Sequence, residues 1–434
     1  MKRESITLRI VFIFGVIVIL IIPLVMIQSL ITERQTYRDA AVSEINDSWA
    51  ASQIVAGPIL TIKNEKWTSN PDGKKFLTQN IHYFLPEKLK IDAELVPEKR
   101  NRGIYEVTLY KSKIRISGFF DFDKMEKTKY EDILTDLTEC YLAFNVTDLK
   151  GIQDDVKVNW NNAEEDVIPG LKNREIFRNG FITNVKITKD DKRYNFDMVL
   201  QLRGSEKLDF IPIGKTTNVA MSSSWNNPSF SGEFLPSTRE ITGSGFKAEW
   251  AVNHFNRDFP QEWDNTKYDL YPSAFGVRLL VPVDEYQKTM RTSKYGIMII
   301  ILTFVSFFMI EIFNKKALHP IQYLLVGLSL VIFYSILLSI SEYIMFQYSY
   351  IIAGVLVVSL ISMYTASIYD SRKLGSAIGL FLILFYGFMY VILQLQDYSL
   401  LFGNIALFLV LSGIMFATRK ISWYDVFSSK KDDV

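Results

Sequence analysis

The chain has 434 residues, of which 49% are hydrophobic, with 48 Lys and Arg against 47 Asp and Glu for a formal net charge of +1. So even a balance sets up no broad field for holding a polyanion, which argues against a nucleic-acid partner. A single cysteine, Cys140, excludes an intrachain disulfide and a metal site built from several thiolates; its expected place is a small buried apolar position.

Distribution matters more than the averages. Residues 1–31 and 295–420 are strongly apolar, whereas most of the charge lies in residues 32–294. A hydrocarbon core about 30 Å thick needs roughly 20 helical residues, because no backbone polar group can stay unpaired there. The first such run, Ile10 to Thr32, follows the basic Lys2, Arg3 and Arg9 and contains Pro23. Its apolar stretch is longer than that of a signal peptide, and no small-x-small cleavage site follows before Glu33, so it reads as an uncleaved anchor.

Beyond the anchor, Tyr37, Ala41, Ile45 and Trp49 recur four residues apart, a helical stalk over Thr32 to Ala56 that Gly57-Pro58 is expected to stop. Strand patterns follow at Ile59–Ile62, Ile81–Leu85, Gly103–Phe120, Tyr141–Val146, Val156–Trp160 and Phe181–Ile187. They continue at Tyr194–Phe210, Asn218–Trp225, Phe246–Val252 and Phe275–Val283. Alternation such as Ile114, Ile116 and Gly118 against Arg115 and Ser117 marks a half-buried antiparallel sheet. Asp284-Glu285-Tyr286-Gln287 resembles a capping box and predicts a second helical stalk. Further apolar runs are Tyr295–Phe313, Leu318–Ser341, Tyr350–Tyr369, Leu374–Gln394 and Tyr398–Thr418.

The fold class expected is therefore a membrane α-helical bundle of six transmembrane helices with an inserted β-rich, sandwich-like extracytoplasmic domain. Its parts are residues 1–9, a cytoplasmic N-terminus; 10–31, transmembrane helix 1; 32–294, the β-rich domain with helical stalks; 295–418, transmembrane helices 2–6; and 419–434, a cytoplasmic tail. Orientation comes from a different property, the placement of Lys and Arg in short connections. Lys315, Lys316, Arg372, Lys373, Arg419 and Lys420 fall on the side of the N-terminus, while the connections near Glu342–Ser349 and Gln394–Asp397 carry no base. Both termini are expected to be cytoplasmic.

Sites of chemistry are sparse. His82, His254 and His319 form no H-E-x-x-H motif, and no G-x-S-x-G elbow, P-loop or dinucleotide fingerprint is present, so no catalytic, cofactor-binding or metal-binding residue is assigned. Asp154-Asp155 and Glu164-Glu165 lack the spacing of a calcium loop or a glycosidase pair and read as solvated loops. In the loop Trp225 to Arg239, the aromatics Trp225, Phe230 and Phe234 beside Pro and Gly are candidates for partner binding; the competing reading is that they plug the end of a sandwich. Ser335, Ser339 and Glu342 share one helical face and are candidates for intramembrane polar contacts, and Glu311 sits near the other end of the neighbouring span.

The run His319-Pro320-Ile321-Gln322-Tyr323-Leu324-Leu325-Val326-Gly327-Leu328-Ser329-Leu330 resembles the hallmark of the CreD family of bacterial inner-membrane proteins. Pro228 to Pro236, Gly245-Phe246 with Trp250, Thr289 to Ile301 and Arg419 to Tyr424 are similar in kind and order, so that the likeness extends over nearly the whole chain, although residues 121–215 match poorly. The resemblance implies a protein of the bacterial inner membrane associated with envelope integrity and stress response, with residues 32–294 periplasmic. It brings no catalytic residue.

Two functions of different classes follow as expectations. In the first, the chain is a non-enzymatic envelope protein whose partners are the lipid bilayer and an envelope component or protein bound by the external domain. The alternative is a transporter or flippase subunit for a lipid or small amphiphile. A membrane-bound hydrolase would need carboxylates clustered in the folded domain. Association of copies into a homo-oligomer stays open.

Overall fold

A computed structural model of the protein describes residues 6–69, 75–123, 133–134, 137–188, 190–279, 285–314 and 316–394, with isolated positions between 401 and 419. It divides into two compact units, one of Met1–Asp39 with Val283–Val434 and the other of Ala40–Pro282.

Among the described residues five helices are long and apolar enough to cross a membrane. The first, α1 (Ile6–Trp49), contains the expected anchor. A short α2 (Glu285–Lys294) precedes α3 (Gly296–Asn314), α4 (Pro320–Ser341), α5 (Phe346–Tyr369) and α6 (Arg372–Gln394). The sixth expected span, Tyr398–Thr418, and Asp284 of the expected capping box lie for the most part or wholly outside the described residues. In the first unit Leu20, Phe304, Leu330, Tyr334 and Leu382 belong to one buried cluster, while Val25, Leu360 and Ile383 are exposed on helix surfaces where hydrocarbon is a suitable neighbour.

The local reason for α4 is visible in its first turn. His319 Nδ1 accepts from the amide of Ile321 at 3.3 Å, Gln322 Oε1 accepts from the amide of His319 at 2.9 Å, and Pro320 fills the first helical position. Two amides that would otherwise lack partners are thereby satisfied reciprocally. At the end of α5, Lys316 Nζ donates to the Ile368 carbonyl, a cation placed where helix carbonyls are unpaired.

The second unit is built from strands. They are β1 (Gln53–Ser69), β2 (Lys75–Phe84), β3 (Lys88–Arg102), β4 (Tyr105–Asp121), β5 (Leu137–Val146), β6 (Lys157–Trp160), β7 (Ala163–Asp166), β8 (Ile168–Pro169) and β9 (Gly180–Asn184). After these come β10 (Arg193–Ser205), β11 (Lys207–Phe210), β12 (Thr216–Ser223), β13 (Pro228–Gly232), β14 (Thr238–Thr242), β15 (Gly245–Asn253), β16 (Glu262–Asp264) and β17 (Phe275–Leu279). One sheet has nine strands, ordered β13-β17-β11-β1-β5-β9-β8 with β2 paired to β1 and β16 paired to β2; the other has eight, ordered β14-β15-β12-β3-β4-β10-β6-β7. Most pairs are antiparallel, but β1 with β11 and β12 with β3 run parallel. Leu60, Leu142 and Phe275 of the first sheet and Leu89, Ile116 and Trp250 of the second belong to one buried core.

Three expectations change. The first helix ends at Trp49 rather than at Gly57-Pro58, because Gln53, Ile54 and Val55 pair with Leu208, Asp209 and Phe210; the Gly-Pro step lies inside β1 at a register shift. The stretch Tyr194–Phe210 is two strands, broken at Glu206, whose φ of 58° turns the chain from one sheet to the other. The loop Trp225–Arg239 contains edge strand β13, antiparallel to β17. Gly232, at φ 106°, ends that strand where a Cβ would run into the backbone of Ala274 and Phe275.

Trp250, 2% exposed, donates from Nε1 to the Phe234 carbonyl at 3.2 Å and lies 5.6 Å from the Phe275 ring, joining the two sheets. Trp250→Ala is expected to destabilise the β-rich unit by about 3–5 kcal/mol. Loss of near-ultraviolet circular dichroism on heating or in denaturant, followed on the detergent-solubilised full chain, measures this.

Candidate functional sites

Polar side chains of the first unit collect at two levels of the helices. At one, Glu311 at the end of α3 is buried, pairs with Arg9 of α1 and accepts from the Tyr323 hydroxyl at 3.0 Å. A carboxylate in this position needs both partners, since an isolated charge in hydrocarbon costs several kcal/mol. The cavity beside the pair measures about 20 Å³ and is walled by Phe12, Val16 and Leu318. That is room for about one water.

At the other level, Glu342 caps the end of α4, accepts from the Tyr286 hydroxyl at 3.2 Å and lies 3.7 Å from Arg34 Nε. Glu285 of α2 accepts from the Phe346 amide at 3.1 Å, satisfying a donor at the start of α5. Tyr323 and Glu342 are 19 residues apart along α4, about 28 Å at the helical rise, close to the thickness of the hydrocarbon. The charged groups thus lie one bilayer core apart along this helix.

Of the three intramembrane candidates, only Glu342 joins such a cluster. Ser335 is half-buried and Ser339 is exposed on the helix surface. Glu311 and its partners are the stronger polar site. Its residue was legible as an acid near a span end; its ion-pair partner, 302 residues away, was not.

In the β-rich unit, Trp225 is 7% exposed and donates from Nε1 to the Asn227 carbonyl at 3.1 Å. Phe230 meets Phe246 and Trp250 edge to face, both at 5.7 Å, and Phe234 meets Phe275 in the same way at 5.7 Å. All three rings pack on the core. The apolar groups that project instead are Leu235, 70% exposed, and Phe255, 85% exposed on a one-turn helix whose ends Asn253 and Asn256 cap each other. Neither was singled out from the sequence.

Two concavities of this unit lie on the outer face of the eight-stranded sheet. Two adjoining hollows, about 490 Å³ and about 460 Å³, share Glu94, Ser222 and Lys247 in their walls. Their floor is β12, where Ala220 and Ser222 face outward, and their sides are the longer side chains of β3, β4 and β15.

The histidines stand apart: His319 caps α4, His82 Nδ1 is 2.5 Å from Asp264, and His254 stacks on Phe255. Among the described residues no three His, Cys, Asp or Glu are grouped to hold a metal. Burial pushes the Cys140 thiol up to about 12, so it stays protonated at neutral pH.

The family model described as Inner membrane protein CreD matches residues 5–424. The chain belongs to the CreD family. It is 32% identical over 433 residues to the Inner membrane protein CreD of Escherichia coli (strain K12), covering 98% of this chain and 95% of that protein. As a member of the CreD family with several apolar helices, it is a multi-pass inner-membrane protein with a β-rich domain. The His-Pro-Ile-Gln segment that carries the family resemblance is the reciprocal cap of α4.

Removing the Glu311 carboxylate leaves Arg9 and Tyr323 without their acceptor. Glu311→Ala is expected to lower the stability of the detergent-solubilised chain by about 2–3 kcal/mol, with Tyr323→Phe costing about 1 kcal/mol. Thermal unfolding of both variants and of the Arg9→Ala/Glu311→Ala pair checks it; the pair should be little worse than Glu311→Ala alone.

Proposed function

We propose that the protein is a non-enzymatic support of cell-envelope integrity or stress response. Both termini are cytoplasmic, residues 32–294 are periplasmic, and the external unit binds an envelope component or a protein. The observation that carries this reading is the outer face of the eight-stranded sheet, with hollows of about 490 Å³ and 460 Å³ bordered by exposed charge. They have the size of binding clefts. The cavity near Glu311 has room for about one water, and the polar groups around it are engaged in holding helices α1, α3 and α4 together, which supports an anchoring role for the bundle. Orientation rests on the one-sided distribution of Lys and Arg.

The single, half-buried cysteine makes the topology testable on the full chain. In Cys140→Ala, a cysteine introduced at Lys113 is expected to react with a membrane-impermeant maleimide added to spheroplasts, and one at Lys373 only after lysis. The opposite pattern overturns the orientation. A photo-crosslinking residue at Lys113, Ser222 or Phe255 should capture a defined envelope molecule, and loss of the chain should raise sensitivity to detergents. No adduct at any of the three, with unchanged sensitivity, ends the proposal.

A further inference from the structure

The hollows over β12 are lined by charges in a particular order. At the level of Ser222 the strand register sets Lys113, Glu94, Ser222 and Lys247 side by side across β4, β3, β12 and β15. One rung away, Ala220 is flanked by Asp92 and Glu249. Asp92 is held by Lys90 at 2.7 Å, and Arg115 beyond it is held by Asp197 at 2.8 Å. Glu94, Lys113, Lys247 and Glu249 make no ion pair among the described residues, although Glu94 and Lys113 are cross-strand neighbours; Glu249 Oε2 accepts from the Thr238 hydroxyl of β14 at 3.3 Å and keeps its other oxygen for a cation.

Both signs therefore border the same groove without an ion pair. Glu94 and Lys247 stand on opposite sides of Ser222, two strand spacings or about 10 Å apart, and Lys247 precedes Glu249 by two residues, about 7 Å along the strand. A polyanion laid along β12 would meet Glu94 and Glu249 as often as the two lysines, so repulsion offsets attraction. A neutral chain would cover four charges without pairing them. The small floor residues admit a main chain between the walls, and a side-chain repeat of about 7 Å is that of an extended polypeptide.

We infer that the groove over β12 binds an extended peptide segment in which acidic and basic side chains alternate at every second residue, the acid against Lys247 and the base against Glu249. This deepens the binding role proposed for the external unit and rests on it.

The probe is a fluorescein-labelled peptide, acetyl-Asp-Ser-Lys-Ser-Asp-Ser-Lys-amide, titrated by anisotropy against the full chain in phosphatidylcholine nanodiscs at low salt. Saturable binding is expected, weakened about tenfold by Lys247→Glu and by Glu249→Lys, both at exposed positions of β15, with unchanged near-ultraviolet circular dichroism as the check that each variant is folded. Versions of the peptide with only Asp or only Lys at the charged positions should bind about tenfold more weakly, and heparin should not displace the alternating one. Equal binding of a single-sign peptide, displacement by heparin, no binding of the alternating peptide, or indifference to both reversals overturns the inference. Crosslinking at Phe255 that persists in Lys247→Glu, together with any of those results, places the error in the groove and leaves the wider role of the unit standing.

Discussion

Hydrocarbon offers no partner to an amide, a carbonyl or a charge, and the first unit is organised by that constraint. Five helices are long and apolar enough to span it, and several polar groups at their ends have partners. His319 and Gln322 close the start of α4, Lys316 meets a carbonyl at the end of α5, and Glu285 meets the first amide of α5. Glu311 and Glu342 would be untenable alone. Arg9 with Tyr323, and Arg34 with Tyr286, make them compatible with a bundle end.

The β-rich unit meets the same demand in water by a different route. Two sheets bury a common core, and the chain passes from one to the other at Glu206, where a left-handed residue lets β10 end and β11 begin at once. Trp250, Phe234 and Phe275 stitch the layers near the family's Pro-Ser-Phe-Ser-Gly segment, which is an edge strand rather than a free loop. The aromatics of that segment serve the core first. What the unit shows to its surroundings is the opposite face of the second sheet, where short residues on β12 leave space between charged neighbours.

Much of this was legible. Long apolar runs announced α3–α6 within a few residues and the first part of α1, and alternation announced β4, β10 and β15. The absence of β3 from the expected strands is instructive. Leu89, Ile91, Ala93 and Leu95 are buried and alternate with Lys88, Lys90, Asp92 and Glu94, yet the density of charge and Pro97 hid a period that was present. That strand forms one wall of the groove. Leu235 and Phe255 escaped notice for the reverse reason: apolar residues are expected inside, and only the fold turned these outward.

Hydropathy, period and charge order are properties of consecutive residues, and so the sequence by itself determined the class of protein, the position of its β-rich insertion and the helices that flank it. Family membership also lies in the order of its segments. Tertiary structure alone decided which distant residues meet. Arg9 reaches Glu311 across 302 positions, and β3, β12 and β15 become neighbours only through long-range strand pairing. A local pattern sets whether a residue faces in or out; register and packing choose the partner opposite it. For that reason the membrane anchor was readable from the chain, while the charged groove on its β-rich unit emerged only when the sheet was assembled.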